Sequence, residues 1–304
     1  MVDGSAPVIV TDNTTKDAIN YKLAEAFAAR TGQTLHDYCA IDTMKGTPMT
    51  NTSLLQIVDL LHSGKTSGRL KRLPLVIGMP VMVTTNIDVH GGIVNGSIGT
   101  VRAIHYTQLE NGDRVLSHCV VHIPTATAPQ MPGLGDHEFP IFPDTVSVFY
   151  RGSKSKQSIS FRRTQVPLIP AFAMTAHKSQ GQTLDKAVID LTTCHGTEAP
   201  YVMISRVRRL DDLLILRPFA FSRIKCRMSQ DSRREQDRLR YHNLTTTIGF
   251  GDTNERHEAT LALDELKRMY SDRELNTLLG AELANPPQED DMDGHRHKRR
   301  KTKR

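Results

Sequence analysis

The chain has 304 residues, 38% of them hydrophobic and 24% charged, which is long enough for two domains or one domain with an insertion. Its 39 Lys and Arg outnumber 33 Asp and Glu, but seven basic and four acidic residues crowd into positions 289–304, leaving the remainder near neutral. A uniformly basic nucleic-acid coat is therefore excluded, whereas a local basic groove is not.

In chain order, the first predicted element is the apolar run Val8, Ile9 and Val10, which reads as a short buried parallel strand. After a turn-like stretch at 11–15, Ala18, Ile19, Leu23, Ala26 and Phe27 recur at helical spacing until Gly32 stops the helix. A second helix is predicted over residues 52–62. From Leu73 the texture changes to short β-branched runs broken by Gly-Gly and Asn-Gly, which predicts a small β-barrel or sandwich. A Pro/Gly-rich loop at 124–143 and a basic hairpin tip with Arg151, Lys154 and Lys156 belong to this stretch. The α/β pattern returns at Val166, with strands before His177, at 187–191 and at 213–216, and a short helix around Tyr201. Charged helices are predicted at 230–244 and 255–270, followed by a disordered tail, acidic and then basic, from Pro286.

The most apolar stretch, residues 73–83, is short and broken by Pro74 and Pro80, so no membrane span is predicted. The start Met-Val-Asp-Gly lacks the basic and apolar regions of a secretion signal. Four cysteines, at 39, 119, 194 and 226, form no C-x-x-C pair, which points to a reducing compartment without disulfides or zinc. His118 and His122 would share one face of a strand, but no third ligand accompanies them, so no metal site is predicted.

Two segments carry chemistry. TAHKSQGQT, residues 175–183, ends a strand in hydroxyls, one cation and a glycine, groups that can hydrogen-bond phosphate oxygens from a turn. YVMISRVRRLDDLLIL, residues 201–216, sets Ser205, Arg206 and Arg208 between an apolar helical face and a strand, where a guanidinium can meet a phosphate with two N–H groups. A solvated polar turn and a pair of surface arginines are the plain alternatives.

These segments strongly resemble motifs V and VI of superfamily 1 DNA helicases of the Pif type, relatives of RecD. VIVTDNTTKDAIN resembles the family's motif IV region, GMPVMVTTNIDVHGGIVNGSIGTV its barrel insertion, and RRTQVPLIPAFAMT its return into the RecA-like sheet. The resemblance spans roughly residues 6–245. Asp12 stands where the family often has a basic residue before the asparagine.

The resemblance implies an α/β fold: a second RecA-like helicase domain with an inserted small β-barrel of the Src-homology-3 type and a helical and disordered C-terminal tail. The implied boundaries are 1–72 and 164–245 for the RecA-like domain, 73–163 for the barrel and 246–304 for the tail. It implies that Arg206 acts as the catalytic arginine on ATP, that Gln180 and Gly181 sense the nucleotide, and that Asn13, Thr175, His177, Lys178 and Ser179 touch single-stranded DNA during 5′→3′ translocation.

A P-loop, G-x-x-x-x-G-K-[ST], holds phosphates on its backbone amides. The one Gly-Lys-Thr, Gly64–Thr66, has Asp59 where the first glycine belongs and follows a helix rather than a strand. No magnesium-binding acid pair is recognisable: Asp190 has no following Glu, and Asp264-Glu265 sits in a helix-periodic segment. The sequence thus reads as the C-terminal half of a helicase without its P-loop lobe. ATP and Mg²⁺ are expected to bind only together with that missing N-terminal lobe, and the chain alone is expected to be inactive as an ATPase. The other reading is a non-catalytic nucleic-acid or partner-binding module left from a truncated helicase. The tail HKRRKTKR resembles a nuclear localisation signal, so a nuclear location is expected, and no membrane association.

Overall fold

The computed structural model describes residues 6–151, 158–194, 196, 198–225 and 228–280. The tips of the basic hairpin (Lys154, Lys156) and the charged tail lie outside these residues.

Val8–Val10, buried at every position, form strand β1. Helix α1, Asn13–Thr31, starts where the Asp12 carboxylate accepts a hydrogen bond from Thr15 N at 2.8 Å and ends at Gly32, whose φ of 66° closes the left-handed cap. Asp12 is therefore a helix cap, which accounts for an acid at a position where a phosphate-gripping base was the expectation. The backbone N–H of Thr15, with burial opposing, holds its carboxyl below the ordinary value.

The chain then leaves the parallel sheet earlier than residue 73. Strands β2 (His36–Cys39), β3 (Ile41–Met44) and β4 (Thr47–Pro48) precede helix α2, Thr52–Asp59, which is shorter than predicted. Strands β5 (Arg72–Leu75), β6 (Pro80–Val83), β7 (Ile98–Gln108), β8 (Arg114–His122), β9 (Glu138–Ile141), β10 (Asp144–Arg151), β11 (Ser158–Gln165) and β12 (Leu168–Pro170) follow. They build two sheets. One runs β12-β6-β7-β8-β2-β5 with β9 beside β8, and the other runs β10-β11-β3-β4. Strands β2 and β3, placed by the sequence in the first part of the RecA-like domain, thus pair with residues 33 to 123 positions away. Four-residue strands such as HDYC and IDTM carry too little periodicity to announce such partners.

Strand β13 (Ala173–Thr175) returns to β1, followed by the single helical turn α3 (Ala176–Ser179), β14 (Ala187–Ile189), helix α4 (Glu198–Ile204) and β15 (Leu213–Ile215). These form a parallel sheet in the order β13-β1-β14-β15. The central strands β1 and β14 are continuous apolar runs because both faces are covered: Ile9 and Ile189 pack with Met174 and Met203 on one side, and Val8, Val10 and Val188 with Ile19 and Leu23 on the other. The outer edge of β13 is met by Asn20 of α1, which donates to Ala173 O and accepts from Ala173 N. Asp190 at the end of β14 is structural: Arg217 pairs with it at 2.7 Å. Burial pushes the Asp190 carboxyl up, but the bonds from Arg217 and Thr192 outweigh this and hold it below the ordinary range.

A buried charge cluster ties β3 and β11 to the segment before β5. Arg163, fully buried, donates to Asp42 through Nε at 2.7 Å and Nη2 at 3.0 Å, and also to the carbonyls of Arg69 and Val58. Lys71 reaches the same carboxylate at 3.2 Å, and Arg69 forks onto Asp144.

The described residues from 228 to 280 form a separate unit. Helix α5 (Gln230–Phe250) runs through the boundary expected at residue 245, and α6 (Thr253–Arg268) and α7 (Asp272–Leu279) each begin with a capping box. No described helix is long and apolar enough to cross a membrane.

Candidate functional site

In a parallel sheet every strand ends on the same edge, and the crevice outside the carboxyl ends is where ligands bind. Strands β1 and β13 pair with Val10 opposite Thr175, so the segments leaving them, Asp12-Asn13 and Ala176–Ser179, emerge side by side. Between them opens a cleft of about 530 Å³. Asn13, Thr175, His177 and Lys178 line it, bringing together four of the five residues expected to touch DNA.

Ser179, the fifth, does not line it. Its side chain is buried and its hydroxyl donates to Ala176 O at 2.9 Å, so it closes the turn instead of facing a strand of DNA. A serine in a polar turn looks exposed in sequence, and nothing in the letters reveals that it folds back.

The structure adds groups that the motifs did not indicate. Lys16, one helical turn after Asn13, is buried yet aims its ammonium along the cleft wall: Nζ donates to Asn13 Oδ1 at 3.0 Å and Ser63 Oγ at 2.6 Å, and lies 3.1 Å from Asp17. Asp17 in turn accepts from Ser63 N at 2.7 Å. Residues Ser63–Lys65, the failed P-loop match, form a single 3-10 turn docked on α1. A Cβ at Gly64 would come within 2.5 Å of Asn13 Nδ2, so any larger residue there would have to displace the Asn13 side chain from the cleft wall. Thr84 and Asn95 also line the cleft, and Asn95 Oδ1 accepts a hydrogen bond from Lys178 Nζ. Helical spacing from Asn13 could have flagged Lys16; no local signal could have flagged Asn95, which arrives from the β6–β7 loop.

Burial, then the neighbouring Lys16 charge, lowers the Lys178 pKa from the ordinary lysine value. The cleft is thus lined by two cations and several amide and hydroxyl groups, and Lys16 alone has a carboxylate close by. Such a surface can hold an oxyanion or a phosphodiester.

Gln180, Gly181 and Arg206 lie outside that lining. Gln180 and Gly181 are exposed, and Gly181 adopts φ 80° with open space around it. Arg206 is half-buried beside the same turn. Its Nε donates to Val202 O at 2.6 Å, its Nη1 to Ser179 O and Gln182 O at 3.1 and 3.0 Å, and its Nη2 to Ser205 Oγ at 2.8 Å. Leu184 N also donates to Arg206 O, so motif VI is stitched to the turn by backbone and side chain alike. Arg208 is exposed. Among the described residues no group of three or more His, Cys, Asp or Glu side chains could hold a metal ion.

This mixed α/β architecture is similar to that of Pif1 helicase domains. The chain aligns with the Pif1 helicase of Candida albicans with a TM-score of 0.53 at 20% identity, covering 78% of this chain and 50% of that one. A Bacteroides Pif1 bound to single-stranded DNA gives 0.50 at 21% identity, over 78% and 46%. In sequence, the chain resembles the ATP-dependent DNA helicase PIF1 of Danio rerio, 31% identical over 148 residues, which is 47% of this chain and 19% of the relative. No family model matches. The chain is thus similar to Pif-type superfamily 1 helicases, and it spans about a fifth of the length of the curated PIF1 proteins it matches.

Proposed function

We propose that this chain is the C-terminal motor lobe of an ATP-dependent 5′→3′ DNA helicase, holding single-stranded DNA in the cleft at the end of β1 and β13. The observation that carries the reading is the meeting of Asn13, Thr175, His177 and Lys178, from two distant segments, around one cleft with Lys16 behind them. The Bacteroides relative's bound single strand is consistent with it. In this reading the two sheets built by β2–β12 correspond to the inserted Src-homology-3 type barrel, and the basic tail directs the protein to the nucleus.

Phosphate contacts release counterions, so binding of a labelled oligothymidylate, followed by fluorescence anisotropy, should weaken steeply with added salt. The purified chain should hydrolyse no ATP. A salt-independent affinity, or robust ATPase from this chain alone, would overturn the proposal. Only the protonated Lys178 attracts phosphate, and its lowered pKa means that the charge is lost earlier as pH rises. Affinity should therefore fall below the ordinary lysine pKa of about 10.4, and Lys178→Arg should abolish that alkaline loss because guanidinium stays charged. A wild-type affinity flat from about pH 7 to 10 would exclude Lys178 as a contact.

The fit to ATP is partial. These residues offer one end of a nucleotide site, an arginine with exposed Gln180 and Gly181, and no phosphate cradle or acid pair for Mg²⁺. A first RecA-like lobe would hold ATP and Mg²⁺, and bound ATP supplies the phosphoanhydride that is cleaved. Arg206 would direct its guanidinium to the terminal phosphate, and closure of the two lobes would shift one strand contact against the other. One observation favours the second reading, a non-catalytic nucleic-acid or partner-binding module: Arg206 already commits Nε and Nη1 to three carbonyls, as a structural brace would.

A further inference from the structure

The sheet β10-β11-β3-β4 has two unlike faces. Along β11 burial alternates at each step from Ser158 to Arg163. The inner residues Val148, Ile159 and Phe161 pack on Val58 and Leu61 at the end of α2. The outward face has different chemistry. Register sets Ser147 opposite Arg162, Phe149 opposite Ser160 and Arg151 opposite Ser158, with Thr43 beyond Arg162 on β3. Thr145 and Thr164 continue the row, their hydroxyls 2.7 Å apart.

Three properties of this face point to one ligand. It contains no Asp or Glu among the outward residues of β3, β10 and β11, and neither Arg151 nor Arg162 forms an ion pair with a described residue. It is dense in hydroxyls that can donate to oxyanions. In its middle Phe149 is 66% exposed, with a serine opposite rather than an apolar cross-strand partner. Phe149 and Arg162 are diagonal neighbours, close enough for an aromatic ring and a long side chain to reach the same ligand. Guanidinium and hydroxyl groups suit phosphodiester oxygens, and a phenyl ring stacks on a base only where the base is not enclosed in a duplex.

We propose that this outward face is a second binding surface for single-stranded nucleic acid, with Arg162 and Arg151 on the phosphates and Phe149 stacked on a base. It uses none of the cleft residues, so the two surfaces succeed or fail separately.

The test uses the full chain and a fluorescein-labelled 30-nucleotide oligothymidylate, with anisotropy titrations at several salt concentrations. Phe149→Ala should weaken binding by about fivefold or more, and Phe149→Tyr should restore it. Arg162→Ala should lower the slope of log affinity against log salt by about 0.7. Both side chains point to solvent, so thermal midpoints should not move, and that measurement separates lost contact from lost fold. Should Phe149→Ala and Arg162→Ala both leave affinity and slope unchanged while Lys178→Ala weakens binding, this surface is refuted and the cleft stands. Should Phe149→Ala weaken a duplex of the same length equally, the stacking assignment is wrong and the proposal falls.

Discussion

Replacing Arg206 with alanine is expected to lower DNA-stimulated ATP hydrolysis by about 10³–10⁵-fold, or about 4–7 kcal/mol of barrier, once a first RecA-like lobe from a relative is supplied in trans. The size is that expected of a permanently charged fork set against the charge that builds up on a transferred phosphoryl group, the role proposed for Arg206. The geometry complicates the interpretation, because Arg206 also bonds to Val202, Ser179 and Gln182 carbonyls. Removing it therefore loosens the turn that bears His177 and Lys178. Single-strand affinity without nucleotide separates the two roles. For a catalytic arginine, that affinity changes only a few-fold while turnover collapses. For a brace, affinity and thermal midpoint fall together with turnover, and Arg206→Lys, which cannot reproduce the fork, recovers neither. An unchanged rate in the alanine variant would exclude Arg206 from catalysis.

Asp42→Ala should cost about 3–5 kcal/mol of unfolding free energy, read by urea or thermal denaturation of the chain. Arg163 would be left fully buried with no carboxylate in reach, and the loss is dominated by that stranded charge rather than by the attraction removed. Lys71, partly exposed, can turn to water, whereas Arg163 cannot. Replacing both members, Asp42→Leu with Arg163→Met, should recover most of the loss, since an apolar pair removes the desolvation cost as well as the bond. A loss below about 1 kcal/mol for Asp42→Ala would mean that water reaches the cluster. The cluster also bears on the cleft: Arg163 holds Val58 O and Arg69 O, on either side of the turn at Ser63–Lys65 that supports Lys16.

How far the letters alone reached follows from where each interaction is encoded. The opening strand and α1 were legible because their apolar runs, the turn at 11–15 and the stop at Gly32 all lie within 25 residues. The return through β13 and β14 was legible for the same reason, and the H-K-S-Q-G turn could be located from its own residues. The strands at 36–48 were not, because their pairing is decided by partners such as Arg162–Thr164, far along the chain. The burial of Arg163 and Asp42 has no local sign, since charge in sequence signals solvent until a matching charge arrives from another segment. The same holds for the site. Thr175, His177 and Lys178 were found through their own motif and Lys16 lies one helical turn from Asn13, while Thr84 and Asn95 emerged only when separate segments met. Ser179 shows the opposite error, a polar letter that the fold turned inward.

The central claim, that single-stranded DNA lies in the cleft between the ends of β1 and β13, is tested most directly by photocrosslinking. An oligothymidylate carrying 4-thiothymidine is bound to the full chain at low salt, irradiated, and the attached peptides are identified by mass spectrometry. The account predicts crosslinks within the segments bearing Asn13 and Lys16, and bearing Thr175, His177 and Lys178, and predicts that raising the salt abolishes them. Crosslinks confined to the helical unit α5–α7, with both cleft segments unmodified, would contradict it.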